Sequence, residues 1–221
     1  MQKKFNYIFL SVMAVCFSDL TKVAAQDSSK LVQQPVFLHT SFYYDFPKSV
    51  GASAGIDFPF SSKLKISNRK DGRKKIKHRD WIMNADIGFY RYRFNNTGVF
   101  FIPSVGKRYS GQHNYYVEWL AGAGIVRTFY DGIVYSVDDN GKVQEKSYSG
   151  RWYATASIAT TFGWDLAKAK KPKPFALQIK PVLWFQFPYN NFMLPHLSVE
   201  AGIKYHFKNF NTNVQQHTVN R

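Results

Sequence analysis

The segment Leu197–Phe207 has the clearest pattern of hydrophobic and polar positions in the chain. Apolar residues occupy every second position, and polar or small residues fill the positions between them. A period of two residues is that of a β-strand with one apolar and one polar face. Its eleven residues also match the length, about 9–11 residues, that a tilted strand needs to cross a bilayer. The pattern therefore predicts a membrane-spanning strand.

Seven other segments have strand character and are bounded by turn residues, and alternation is readable in most of them. The fourth is the weakest, since Val99–Pro103 is apolar on both sides. No stretch has a sustained helical period, so the sequence predicts an all-β fold. The predicted strands are Val36–Phe46, Val50–Phe60, Trp81–Phe94, Val99–Tyr109, Tyr115–Tyr130, Trp152–Leu166, Phe175–Phe187 and Leu197–Phe207. Pro103 lies in the fourth segment, and because proline cannot donate a ladder hydrogen bond we expect a bulge or a strand end there.

Two hairpins are predicted to extend beyond the membrane. Asp71-Gly72 lies within the basic segment 63–80, and Asn140-Gly141 lies within segment 133–149. Both dipeptides favour the tight turns that join adjacent antiparallel strands. The basic, proline-rich segment Lys168–Pro174 is predicted to be a link outside the sheet, since proline removes a ladder donor.

The first 25 residues have the features of a secretory signal peptide. A positively charged start precedes the apolar run Ile8–Phe17, which is too short to span a membrane, and small residues end at Ala25. We expect cleavage after Ala25. A lipoprotein anchor at Cys16 is the alternative, although Val15 is a poor residue before a lipidated cysteine. Cys16 is the sole cysteine of the sequence, so the mature chain is expected to have no cysteine chemistry.

After residue 25 the sequence contains no run of 18 or more apolar residues. A membrane protein without such a helix must be a closed barrel, because lipid offers no partner for an open sheet edge. Aromatic residues form 18% of the chain, which suits the aromatic girdles of such a barrel. We therefore predict a single eight-stranded, antiparallel transmembrane β-barrel over residues 36–207, between a polar N-terminal flank, 26–35, and a polar C-terminal tail, 208–221. A secreted, soluble, lipocalin-like barrel, with its apolar face inward, is the alternative.

The polar faces of the predicted strands carry acids and bases that would meet inside such a barrel. They are Asp57, Asp86, Arg108, Glu118, Asp165, Lys180, Glu200 and Lys204, with His39 on the same side. An eight-stranded barrel is about wide enough for side chains to fill, so we expect these groups to pair as a structural plug. A narrow ion path or gate is the alternative. The opposite faces carry Trp81, Trp119, Trp152 and Trp164, at positions suited to lipid or interfacial contact.

The last predicted strand also carries a recognisable motif. The motif has a polar residue, a glycine two positions later, and aromatic or apolar residues at the sixth and eighth positions. These four places are filled by Glu200, Gly202, Tyr205 and Phe207. In this motif, in length and in strand number, the chain resembles the small OmpA- and OmpX-like outer-membrane barrels. The resemblance implies recognition by the barrel assembly machinery and a location in the cell outer membrane.

The chain has a formal charge of +16, of which +14 remains once residues 1–25 are removed. For an envelope protein, outer-membrane lipid and the phosphates of lipopolysaccharide are more plausible partners than nucleic acid. The densest basic stretch is the first predicted hairpin, whose cations are Lys63, Lys65, Arg69, Lys70, Arg73, Lys74, Lys75, Lys77 and Arg79. Two interpretations carry equal weight: a solvated hairpin whose lysines guard its edges, and a binding surface for envelope phosphates.

The strand count places this long hairpin on the side of the membrane where barrels usually have short turns. With the N-terminus in the periplasm, the strand count places segment 63–80 in the periplasm as well. Barrels usually have short turns on that side and long loops outside the cell. The hairpin around Asn140-Gly141 falls outside the cell, as expected. Either the barrel has an atypical periplasmic hairpin, or the strand count is off by one.

Candidate chemistry is sparse. The six histidines lack the spacing of a metal site, and we expect no metal and no cofactor. His39-Thr40-Ser41 has the His-x-Ser spacing of a barrel esterase, but His39 would point inward, away from lipid acyl chains. We therefore predict a monomeric, non-enzymatic barrel with a structural or surface-interaction role in the envelope. A porin-like narrow channel and a lipid A-modifying enzyme are the alternatives.

Overall fold

The computed structural model describes residues 30–46, 49–68, 74–93, 95–111, 113–137, 141–146, 149–168, 172–189 and 192–220. The strands are β1 Lys30–Phe46, β2 Ser49–Asn68, β3 Lys74–Tyr92, β4 Asn96–Ser110, β5 Tyr115–Tyr130, β6 Val134–Val137, β7 Val143–Lys146, β8 Gly150–Asp165, β9 Phe175–Tyr189 and β10 Phe192–Asn220. One 3₁₀ turn, Leu166–Lys168, follows β8. The expected signal peptide, residues 1–25, lies outside the described residues.

Eight of these strands form one sheet that closes on itself. Each of β1 to β5, β8, β9 and β10 pairs with the next in that order, and β10 also neighbours β1. Successive strands from β1 round to β10 pair antiparallel. The predicted eight-stranded antiparallel barrel is therefore confirmed. Within the described residues, no helix has the length and hydropathy of a membrane-crossing helix.

Unlike in a soluble protein, charged side chains are buried inside the barrel and large apolar side chains are exposed on its outside. Glu118 on β5 is fully buried, whereas its neighbour Trp119 is 56% exposed. Burial alternates in the same way along β8, and Lys204 on β10 is 2% exposed while Ile203 is 46% exposed. Charged and polar residues are therefore buried inside the barrel, where they share the interior with a cluster of buried aromatic and aliphatic side chains, and apolar residues cover the outside. The soluble lipocalin-like alternative requires the reverse arrangement.

Pro103 lies inside a continuous strand, and the prediction of a bulge or strand end there was wrong. It stands opposite Ala85 of β3 in an unbroken register. On its other side the β4–β5 register is the same before and after it, from Phe101↔Ile125 to Ser104↔Gly122. The missing N–H therefore interrupts the β4–β5 ladder locally without shifting the strands.

The barrel contains a bulge that the alternation pattern did not reveal. The β2–β3 register shifts between Pro59 and Ser61. The extra residue reverses the parity of β2, so that Phe60 and Lys63, an odd number of residues apart, are both exposed. Beyond this bulge the two strands continue to the pair Asn68↔Lys74. Asp71 and Gly72, the predicted turn, lie outside the described residues.

The segment after Phe207, which the sequence presents as a polar tail, continues β10 to Asn220. Its residues Asn213–Asn220 pair in parallel with Ser61–Asn68 of β2, beyond the part of β2 that pairs with β1. The long β2–β3 hairpin would otherwise present a row of unpaired backbone groups at this edge. The tail therefore pairs with the edge of the hairpin at the end of the barrel where β1 begins and β10 ends, the chain-end side of the barrel.

The second predicted hairpin is present as a separate two-stranded sheet of β6 and β7. Val137 of β6 pairs with Val143 of β7. Gly141 has a φ of +76°, a conformation that glycine adopts without steric cost. This hairpin connects β5 to β8 at the end of the barrel opposite the chain ends.

Candidate functional site

The centre of the barrel interior is an ion-pair cluster around Asp57. Its Oδ2 lies 2.6 Å from Nζ of Lys204 and 3.1 Å from Nη2 of Arg108. Glu118 on β5 accepts a hydrogen bond from Arg108 Nε at 2.6 Å and one from Lys204 Nζ at 2.9 Å. Both cations therefore bridge the same two carboxylates, so each buried charge has two partners of opposite sign.

A second cluster adjoins the first. Nζ of Lys180 lies 2.8 Å from Asp86 Oδ2 and 3.0 Å from Glu200 Oε2. The hydroxyl of Ser53 donates to Glu200 at 2.7 Å. His39 joins the two clusters, since its Nε2 lies 2.6 Å from Asp86 and its Nδ1 lies 3.6 Å from Asp57. The acids and bases of the interior thus form one continuous network.

The network is close to electrical balance. It contains the four carboxylates of Asp57, Asp86, Glu118 and Glu200 against the three cations of Arg108, Lys180 and Lys204. His39, placed between two of the carboxylates, supplies the remaining positive charge when protonated. Asn84 donates a further hydrogen bond to Asp57 at 2.7 Å. Buried charge is tolerated only when it is paired and hydrogen-bonded in this way.

Seven of the eight charged residues selected from the sequence belong to this network, together with His39. Asp165 is also buried but lies elsewhere, with its Oδ1 3.2 Å from Nε2 of His206 and accepting a hydrogen bond from the backbone of Ala167 at 3.0 Å. Sequence reasoning did not select Asn84 and Ser53. Both occupy inward positions of their strands. The alternation of inward and outward positions along each strand could therefore have identified them.

An aromatic layer fills the interior on the side towards the end opposite the chain termini. Tyr43, Tyr90, Phe100 and Trp184 are all buried there, and the Tyr43 and Phe100 ring centroids lie 5.4 Å apart. The indole N–H of Trp184 donates to the Tyr43 hydroxyl at 3.1 Å. The ring of His196 stacks on Trp184 at 3.9 Å, and its Nδ1 lies 2.7 Å from Asp45. This layer covers the charged network from that end.

A small cavity separates the two layers. Its lining includes Phe100 and Trp184 from the aromatic side and Asp86, Lys180 and Glu200 from the charged side. Its volume is about 20 Å³, which is room for about one ordered water. The interior is therefore packed by side chains at this level.

We expect Tyr43→Phe to lower the free energy of unfolding by about 1–3 kcal/mol, because the buried indole N–H of Trp184 loses its acceptor. Tyr115→Phe is the matched control, since Tyr115 is 56% exposed on the outer surface. Its effect should stay within about 0.5 kcal/mol. Urea unfolding of the detergent-solubilised barrel, followed by gel mobility, measures both. Equal effects of the two substitutions would contradict the assigned hydrogen bond.

The triplet His39-Thr40-Ser41 does not form a nucleophilic pair. His39 contacts Asp57 and Asp86, whereas the hydroxyl of Ser41 accepts a hydrogen bond from Gln178 at 3.1 Å. Both residues are buried in the interior. Within the described ranges, no group of three His, Cys, Asp or Glu side chains is arranged to hold a metal ion.

The basic hairpin lies on the chain-end side of the barrel, where β1 begins and β10 ends. Lys63 stands opposite Arg79, and Lys65 opposite Lys77, with all four side chains exposed. Lys74 and Lys75 lie in β3. The other selected cations, Arg69, Lys70 and Arg73, lie outside the described residues.

The four residues of the expected assembly motif are divided between the two faces of β10. Glu200 is buried in the charged network, while Tyr205 and Phe207 are exposed on the outer surface. Gly202 faces inward against the backbone of Thr40 and Ser41 on β1. The motif therefore lies where the last strand meets the first.

No protein-family model matches this chain. No curated protein matches it either. A similar solved structure is the crystal structure of Neisserial surface protein A, with 11% sequence identity and a TM-score of 0.42. The match covers 80% of this chain and 99% of that chain. A similarity of this size carries no argument about function, and membership among the OmpA- and OmpX-like barrels stays a prediction.

Proposed function

We propose that this protein is a monomeric, non-conducting outer-membrane barrel with a structural or surface-interaction role in the envelope. The observation that carries the proposal is an interior filled with paired charges inside an apolar exterior. Lys204, Glu118 and Asp57 are buried at the centre of the barrel, whereas Phe42, Ile158 and Phe162 are more than half exposed on its outside. Such an exterior is stable only in contact with lipid, or with detergent in its place.

Cation–aromatic pairs on the outer surface support a membrane location. The ammonium group of Lys107 lies 4.4 Å from the ring centre of Trp81, and the guanidinium of Arg127 lies 5.1 Å from that of Trp152. Trp81 lies towards the end with the chain termini, and Trp152 towards the other end. Tryptophan and basic residues concentrate at the two interfaces of a bilayer, where a ring can be buried while the charge reaches water.

We expect the purified protein to show heat-modifiable migration in gels and no steady conductance in planar bilayers. Ion passage requires a continuous aqueous path, and the paired charges and the aromatic layer occupy the middle of the barrel. Gel migration with and without heating establishes that the barrel is folded, and single-channel recording of the same preparation tests conduction. Discrete current steps from folded protein would favour the channel alternative.

Among the described residues, His39 and Ser41 do not support the esterase alternative, because His39 lies against Asp57 and Asp86 while Ser41 accepts a hydrogen bond from Gln178. Overexpression should leave the mass spectrum of lipid A unchanged. A mass shift that corresponds to gain or loss of an acyl chain would overturn the non-enzymatic proposal. Binding of envelope phosphates by the basic hairpin is part of the proposal.

A further inference from the structure

The basic hairpin continues the surface of the barrel that faces lipid. The outward face of β3 runs from Ile87 towards the chain-end side of the barrel, and its residues Met83, Trp81, Arg79 and Lys77 are exposed. On β2, the bulge between Pro59 and Ser61 brings Lys63 and Lys65 to this same outer face. Without that bulge the two lysines would point to the inner face. The outer surface thus changes from apolar to basic within two residues of Trp81.

The spacing places the first cations at the depth of lipid headgroups. Two residues of a strand advance by about 7 Å, or about 5 Å along the membrane normal for a strand tilted by roughly 40°. The headgroup layer of one leaflet is about 5–8 Å thick. If Trp81 marks the edge of the hydrocarbon, Arg79 and Lys63 lie among the headgroups. Lys77 and Lys65 lie about 10 Å from that edge, just beyond the headgroups, which their long side chains can reach.

The charges on this face are arranged unfavourably for a hairpin in water. Lys63 stands directly opposite Arg79 and Lys65 directly opposite Lys77, and like charges across a strand pair repel. Among the described residues, none of the four forms a salt bridge with an acid. Arg79 instead lies 5.6 Å from the ring centre of Tyr109. An external anion placed between the opposed cations would remove the repulsion.

We propose that Lys63, Lys65, Lys77 and Arg79 form a binding face for the phosphates of anionic phospholipids in the leaflet nearest the chain ends. The proposal rests on the membrane location proposed above. The face is continuous with the lipid-facing surface. A lipid phosphate is therefore a better candidate ligand than a soluble polyanion. If the chain ends lie in the periplasm, this leaflet is the inner leaflet of the outer membrane, and lipopolysaccharide, which occupies the outer leaflet, is not the ligand.

The test uses the folded full-length barrel in a neutral detergent, titrated with short-chain phosphatidylglycerol or phosphatidylcholine. The binding-face variant carries Lys63→Gln, Lys65→Gln, Lys77→Gln and Arg79→Gln. The control variant removes the same number of cations at the opposite end, through Arg91→Gln, Arg93→Gln, Lys142→Gln and Arg151→Gln. Retained lipid counted by native mass spectrometry gives the apparent affinity, and the heat-modifiable band verifies folding in every sample.

We expect the parent and the control variant to bind phosphatidylglycerol more tightly than phosphatidylcholine. The binding-face variant should lose this preference by at least about tenfold, since each cation near an anionic surface contributes about a fivefold factor. In the parent, the preference should also weaken in 0.5 M NaCl because salt screens exposed charges. Should the fourfold variant fail to fold, the double variant Lys65→Gln and Lys77→Gln, farther from the barrel, is expected to lose part of the preference.

Unchanged phosphatidylglycerol affinity in a folded binding-face variant would overturn the proposal. So would a parent protein that discriminates lipopolysaccharide, but not phosphatidylglycerol, through these four residues, because the face would then belong to the other leaflet. Neither result bears on whether the barrel is folded or conducts. Failure of the headgroup proposal is therefore distinguishable from failure of the proposed function.

Discussion

Lys204→Met is expected to lower the free energy of unfolding by about 3–5 kcal/mol, the usual cost of removing one partner from a buried ion pair. Lys204 is 2% exposed, and its ammonium group contacts both Asp57 and Glu118. Methionine keeps a similar volume but leaves Arg108 as the only lysine or arginine that contacts these two carboxylates among the described residues. The measurement is urea unfolding of the folded barrel in detergent.

A double-mutant cycle separates lost pairing from lost packing. Glu118→Gln alone should also destabilise the barrel, because Lys204 and Arg108 then share only Asp57. The combination of Glu118→Gln with Lys204→Met leaves the balanced pair of Asp57 and Arg108. We therefore expect the double variant to be more stable than the sum of the single effects implies, by about 1–3 kcal/mol.

The control for the Lys204 substitution is Lys173→Met, since Lys173 is exposed in the connection between β8 and β9. Its effect should stay within about 0.5 kcal/mol. Strict additivity of the two interior substitutions would show that the acids and bases of the interior do not act as a network. A free energy of unfolding that Lys204→Met leaves unchanged would indicate that Arg108 and hydration, and not Lys204, stabilise the two carboxylates.

The strands and their faces were predictable because a membrane barrel imposes one simple rule on the sequence. Every second residue of a spanning strand faces lipid, so the apolar periodicity is visible without any knowledge of strand partners. Tyr115–Tyr130 was predicted with the bounds that β5 has in the structure. The same rule assigned inward positions to residues as distant in sequence as Asp57 and Lys204, which lie 2.6 Å apart in the barrel.

Features that depend on a particular neighbour were not predictable. The bulge beside Pro59 is defined by the register of β2 against β3, and no local pattern shows the extra residue. The strand at Asn213–Asn220 pairs with the distant segment Ser61–Asn68. Its asparagines and glutamines offer no amphipathic period, and the backbone hydrogen bonds that hold it carry no sequence signature. The contacts of His39 were likewise not predictable, because they depend on how β1, β2 and β3 are aligned along the barrel axis.

Gly202→Val is expected to prevent closure of the barrel, so that the heat-modifiable folded band is lost or strongly reduced. Gly202 faces inward at the seam between β10 and β1, and a Cβ atom there would overlap the carbonyl oxygen of Thr40 and the Cα of Ser41. These are strand backbone atoms, which cannot move aside without breaking the seam ladder. An open seam would expose unpaired backbone groups to lipid, where each costs several kcal/mol.

The seam effect must be separated from recognition by the assembly machinery, since Gly202 belongs to the expected motif. Refolding of the purified, denatured chain into detergent tests closure without that machinery. Ala201→Val is the matched control, because Ala201 is the next residue and is exposed on the outer face. It should refold like the parent. If Gly202→Val also refolds like the parent in detergent yet fails to accumulate in the outer membrane of cells, the glycine serves recognition and the seam tolerates a side chain. If Gly202→Val fails in both settings while Ala201→Val succeeds in both, the glycine is needed for the close approach of the first and last strands.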